Sequence, residues 1–223
     1  MRPPISSFWV KVTMAVTGII FAAYVLVHMI GNLKVFTGAG HFDAYARWLR
    51  AVFEPLFPHE GALWLVRAVL IVSLVLHVAG ALVLGARARR ARGRFPRRAL
   101  PLRSFAARTM LATGIGLLGF VVFHVLDLTL GVQPVASAIF QAGTPYANLV
   151  ASLERPGVAA FYMIAMLLLA MHLGHGLWTA AHDLGATGPR LRRLALGASG
   201  ALALAITLGN VGIPIAVLLG LVR

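Results

Sequence analysis

Five long runs of apolar residues, separated by short polar stretches, dominate the chain. They lie at Trp9 to Ile30, Leu63 to Gly85, Phe105 to Leu130, Gly157 to Ala181 and Leu194 to Val222. Each meets the roughly 20 residues that an α-helix needs to cross about 30 Å of hydrocarbon. The pattern predicts an all-α, integral membrane five-helix bundle, and a single transmembrane domain over residues 1–223 with no room for a separate soluble one. The first run is too long for the apolar region of a signal peptide and no small-residue cleavage site follows it closely, so it is expected to persist as a helix.

Composition agrees with the pattern. At 60% hydrophobic and 12% charged residues, the chain has more apolar surface than a soluble domain of its size could bury. The net charge of +14 would suit a nucleic-acid partner, but its location argues for none. Eight arginines fall between Arg87 and Arg103, between the second and third runs, and Arg190, Arg192 and Arg193 fall between the fourth and fifth. The positive-inside rule then places both connections and the N-terminus, with Arg2 and Lys11, in the cytoplasm, and the C-terminus outside. The same cations suit docking of a cytoplasmic partner or anionic membrane lipid. There is no cysteine, which excludes disulfides, thiolate-bound zinc and any iron–sulfur cluster held by this chain.

The histidines reveal an order within the runs. His28, His77, His124 and His172 lie on the first four spans, one on each. His28 to His124 is 96 residues and His77 to His172 is 95, and a Thr-Gly pair, Thr17-Gly18 and Thr113-Gly114, precedes both His28 and His124 by the same interval. The spans thus read as a duplicated helix pair, a parallel pseudo-repeat of the first two in the third and fourth, with the fifth added. Chance similarity among Leu/Val/Gly-rich helices is the competing reading. The direction of each span puts His28 and His124 near the outer face, and His77 and His172 in the cytoplasmic half.

An ionisable ring in hydrocarbon requires a partner, so each such histidine is a functional candidate. One alone is as often hydrogen-bonded to a carbonyl or hydroxyl as bound to a metal. Four, paired by depth on four helices, suggest two b-type haems, each with an imidazole on either side, a closed coordination suited to electron transfer. The 95-residue interval selects His172 over His175, which is expected to be a packing or propionate neighbour. Ten residues rise about 15 Å in a helix, which puts Gly18 and Gly114 near the inner histidine level, where they would let a macrocycle approach. Ten residues before the inner histidines stand Arg67 and Tyr162, near the outer level. Arg67 is the only arginine well inside a run and is a candidate partner for a haem propionate, with snorkelling to the interface as the alternative.

Several strings together resemble the five-helix, dihaem cytochrome b membrane-anchor subunit of succinate:menaquinone oxidoreductases and quinol:fumarate reductases, the complex II family. They are His28-Met29-Ile30-Gly31-Asn32-Leu33, then Phe42-Asp43-Ala44-Tyr45-Ala46 with Leu49-Arg50, Pro58-His59-Glu60-Gly61, and His172-Leu173-Gly174-His175-Gly176-Leu177-Trp178. The resemblance covers nearly the whole chain, and the Ala/Arg/Leu-rich composition looks like that of a bacterial member. It implies a subunit of the bacterial cytoplasmic membrane with no dicarboxylate active site of its own. A partner flavoprotein subunit would carry FAD, a partner iron–sulfur subunit would carry the clusters, and two haem b groups would pass electrons to menaquinone. His28 and His124 would hold the distal haem, and His77 and His172 the proximal one. Glu54, His59 and Glu60 are the acid–base groups available for the quinone, and no string selects among them; Asp127, a turn after His124, is read either as functional or as simply solvated. A higher oligomer of the complex is compatible with this reading. Membrane subunits of nitrate reductase or formate dehydrogenase share paired histidines but not the first two strings, and a haem-free multipass transporter is the remote alternative.

Overall fold

The computed structural model describes residues 5–92 and 102–223 and, among these, is helical without strands. The order is α1 (Ser7–Asn32), a 3-10 turn (Leu33–Thr37), α2 (Ala39–Ala51), α3 (Gly61–Arg92), α4 (Leu102–His124), a π-helical segment (Val125–Leu130), α5 (Pro145–Leu153), α6 (Pro156–Asp183) and α7 (Pro189–Leu218). Five of these helices, α1, α3, α4, α6 and α7, are long and apolar enough to cross a membrane, and the chain is a multi-pass membrane protein. Their flanks expose a belt of large apolar side chains, among them Ile71, Val72 and Val75 on α3 and Leu204 and Leu208 on α7. In a bilayer the lipid covers such a belt, while the helical backbone satisfies its own hydrogen bonds.

Two differences from the sequence-based expectation stand out. The arginines expected in a connection between the second and third spans lie in part on helix: α3 runs on through Arg87, Arg89, Arg90 and Arg92, and Arg103 belongs to α4. Alternating Ala and Arg are strong helix formers, so nothing stops the helix where the apolar run stops. Arg87 turns back to α1, donating to Ser7 Oγ at 2.8 Å and the Ile5 carbonyl at 2.6 Å. Arg94, Arg97 and Arg98 lie outside the described residues. The second difference is the pair of short helices α2 and α5, which together cap one end of the bundle. Phe42 of α2, Tyr146, Leu149 and Val150 of α5, and Ile213 and Val217 of α7 form a buried apolar cluster there.

Within the bundle α7 packs on α6, α6 on α1, α1 on α3 and α4 on α6; among the described residues no comparable packing joins α3 to α4. The α6–α7 contact includes small residues: a Cβ on Gly174 would stand 3.7 Å from that of Ala203, and Ala165 and Ala180 on α6 and Ser199 and Ala216 on α7 are buried. Small side chains let backbones approach closely where lipid offers no hydrophobic drive between helices. Ala22 and Met29 of α1 join Leu173 and Ile206 in a second apolar cluster. Asn32 of α1 reaches Asn210 of α7 at 3.5 Å.

Candidate functional site: two imidazole couples in the bundle

The packing order α3, α1, α6, α4 makes α1 and α4 non-neighbours, and α3 and α6 likewise. The histidines meet across these diagonals. The rings of His28 (α1) and His124 (α4) have centroids 5.9 Å apart near the capped end, and those of His77 (α3) and His172 (α6) are 6.3 Å apart further along the bundle. All four are half-buried.

The helices orient these rings through their own side chains. Thr17 Oγ1 lies 2.8 Å from the Thr13 carbonyl and 3.2 Å from that of Met14, and 3.0 Å from His77 Nδ1. The single hydroxyl proton goes to a carbonyl, which can only accept, so the remaining contact needs His77 Nδ1–H as donor. On the other side, Thr113 Oγ1 lies 2.9 Å from the Thr109 carbonyl, 3.1 Å from that of Met110 and 3.1 Å from His172 Nδ1. The two sites therefore share one geometry, and both imidazoles carry the proton on Nδ1 and a free lone pair on Nε2.

Gly18 and Gly114 sit directly under these rings. A Cβ on Gly18 would stand 3.6 Å from His77 Cε1, and one on Gly114 3.3 Å from His172 Cε1. The glycines thus make room for the two imidazoles.

At the capped end an aromatic ring backs each histidine from one turn earlier: Tyr24 stacks on His28 at 5.4 Å and Phe120 on His124 at 5.7 Å. His124 Nδ1 is 3.3 Å from the Tyr162 hydroxyl, and Tyr162 in turn donates to Asp127 Oδ2 at 3.0 Å. Asp127 is fully buried, and also accepts from Ser152 Oγ and from Arg155 Nη2 at 2.7 Å. The π-helical segment carrying Asp127 is closed by Gly131 at φ 66, with Phe140 filling the space where its Cβ would be. Asp127 is therefore not a solvated edge carboxylate; it is the centre of an ion-paired network.

The remaining candidates make other contacts. His175 faces Trp178 at 5.8 Å, not His77. The Arg67 guanidinium lies over the Trp64 ring at 4.7 Å, with Nη1 3.8 Å from Glu60 Oε2. Glu60 Oε1 accepts from Arg50 Nε at 3.0 Å, and its own N–H donates to the Arg50 carbonyl at 2.7 Å. These ties hold Glu60 at φ 60, a conformation uncommon for a residue with a side chain. Glu54 and His59 form an exposed pair at 3.0 Å. The strings after the first span also have structural uses: Tyr45 lies against Gly31, and Asp43 Oδ1 accepts from the Tyr146 N–H at 3.0 Å.

Sequence reasoning passed over Thr17 and Thr113 as imidazole partners, Tyr24 and Phe120 as stacking rings, and the Ser152–Arg155 support of Asp127. A signal for the first was present: Thr13-Met14 before Thr17-Gly18 matches Thr109-Met110 before Thr113-Gly114 at the same 96-residue offset. Compared with models of protein families, with curated proteins and with solved structures, the chain finds no match.

Proposed function

We infer that the chain is the membrane-anchor cytochrome b subunit of a succinate:quinone oxidoreductase, holding one b-type haem between His28 and His124 and a second between His77 and His172. The two imidazole couples carry the haem assignment, and the strings His28 to Leu33 and Phe42 to Ala46 support the choice of complex. A metal–imidazole bond is about 2 Å and the nitrogen lies about 1 Å from its ring centre, so two rings on one metal have centres about 6 Å apart. The couples stand at 5.9 and 6.3 Å. The donor set suits a porphyrin, which brings four ligands of its own; among the described residues no group of three or more His, Cys, Asp or Glu gathers to hold a bare ion. Oxygen partners on Nδ1 of His77, His172 and His124 leave Nε2 as the ligating atom, the usual arrangement for a metal-bound histidine.

When bound, the two haems supply one-electron carriage through the bilayer. The chain's part is to bind and orient them: the threonines and Tyr162 fix the rings, and Gly18 and Gly114 give His77 and His172 their space. Arg67 is the cation we assign to a propionate near the His28–His124 couple. The matched threonine, glycine and histidine positions support a duplicated helix pair, α1–α3 and α4–α6, with α7 added. In the bacterial cytoplasmic membrane the arginine-bearing end, with the N-terminus, faces the cytoplasm, where a flavoprotein subunit with FAD and an iron–sulfur subunit dock; the capped end and the C-terminus face outward. Menaquinone is the electron partner we assign, with Glu54, His59 and Glu60, just before α3, the acid–base groups we assign to it.

The test is to purify the complex from membranes, identify its subunits and count haem per copy of this chain. Two haem b, a flavoprotein and an iron–sulfur subunit are expected. Fewer than two haems sinks the paired-ligand assignment, and molybdenum-containing partners would move the chain to a different respiratory complex.

A further inference from the structure

The two couples differ in what stands behind them. Threonine hydroxyls, already committed to main-chain carbonyls, face His77 and His172. His124 alone faces a phenol whose proton is given to a fully buried carboxylate. That carboxylate is paired inside the bundle: Arg155 Nη2 reaches it at 2.7 Å and Ser152 donates to it. Arg155 is itself anchored, its Nη1 donating to the Val135 carbonyl at 2.8 Å and its Nε to the Ser152 carbonyl at 3.2 Å. Arg155, Asp127 and Tyr162 thus form a line of hydrogen bonds ending on one ring nitrogen. A hydrogen bond to an anion polarises the phenol, and in a low-dielectric surrounding such chains strengthen one another. A phenol oxygen made richer in charge is a better acceptor for Nδ1–H. An imidazole that donates more strongly at Nδ1 is more basic at Nε2.

We propose that Tyr162 and Asp127 are positioning residues that make His124 the most electron-donating of the four ligands and thereby lower the reduction potential of the iron held by His28 and His124. Electron donation favours the ferric state, so loss of the line raises the potential. The proposal rests on the haem reading above. Asp127 acts through Tyr162 and not as a distant charge, which gives the test its form.

The experiment is a potentiometric titration of the two b-type centres in the purified complex, wild type against Tyr162→Phe, Asp127→Asn and the double variant. Tyr162→Phe is expected to raise one of the two potentials, increasing the ferrous-to-ferric ratio at fixed poise about tenfold, which is about 59 mV for one electron. Asp127→Asn moves the same centre in the same direction by less, and adds nothing in the Tyr162→Phe background. The other centre stays in place. Haem content and the reduced-minus-oxidised spectrum are recorded for each protein. Two intact haems with neither potential moved overturn the proposal alone, as does an Asp127→Asn shift of full size in the double variant. Should Tyr162→Phe fail to retain haem, the Asp127→Asn titration decides by itself, an unmoved potential being fatal. A wild-type complex with no reducible b-type spectrum overturns the haem reading first, and this inference with it.

Discussion

Thr17 and Thr113 are the residues whose removal isolates orientation from ligation. Each keeps its imidazole proton on Nδ1 from a distance of 3.0 or 3.1 Å. In Thr113→Val the shape is retained and the hydroxyl acceptor is lost, leaving the His172 N–H only the Met110 backbone as a partner. Removal of such a partner behind a metal ligand costs about 10- to 100-fold in metal affinity. On the proposed haem reading, the expected outcome is a complex that loses haem from one site during purification, read as haem per chain falling from two toward one. Glycine at 18 and 114 offers a finer contrast. A Cβ meets His77 at an ordinary contact distance of 3.6 Å but meets His172 at 3.3 Å, tighter than packed atoms normally stand. Gly18→Ala should therefore retain wild-type haem content, and Gly114→Ala should not. Equal retention in the two variants would contradict the steric account.

At the scale of elements, the caps decide how firmly the histidines are held. Met29 follows His28 directly and lies where a Cβ on Gly209 would stand 2.7 Å from its sulfur, so α1 and α7 are in contact at the level of the first couple. Overpacking a filled interior costs about 1–3 kcal/mol. Gly209→Val is expected to lower the thermal midpoint of the purified complex, and an unchanged midpoint would show that α1 and α7 can shift apart freely. Legibility followed element length. The five spans announce themselves because about 20 apolar residues leave few alternatives. α2 and α5, at 13 and 9 residues, carry mixed patterns that become helix only against each other and α7. The end of α3 was misread for a different reason: arginine marks an interface by charge, yet it is a good helix former. The couples could be found by counting because two spacings agree. The support of Asp127 could not, since Ser152, Arg155 and Tyr162 come to it from α5, α6 and the junction between them, with no period that links them to residue 127.

For the whole molecule, the absence of cysteine makes sidedness directly measurable. A single cysteine at Thr187, between α6 and α7, and another at Ala142, between the π-helical segment and α5, sit at exposed positions at opposite ends of the bundle. The proposed orientation expects Thr187→Cys to react with an impermeant thiol reagent only from the cytoplasmic side, and Ala142→Cys only from the outside. The reverse result would invert every assignment of partner and quinone to a face, while leaving the imidazole couples untouched.

The unequal packing of the helices also bears on the order in which the protein is made. α7, α6 and α1 form a continuous spine, whereas α3 leans on α1 and α4 on α6, with no close seam between those two among the described residues. Such a scaffold can finish inserting before anything joins its two wings. On the proposed haem reading, two planar groups entering sideways from the lipid, through the α3–α4 side, would each meet one wing and the spine, His77 with His172 at one level and His124 with His28 at the other, and ligation would draw both wings toward the spine. Cofactor loading would then be the step that closes the bundle: on the proposed haem reading, chain newly released from the translocon should be cleaved by a protease more readily in α3 and α4 than in α6 and α7, and that difference should vanish as haem is supplied.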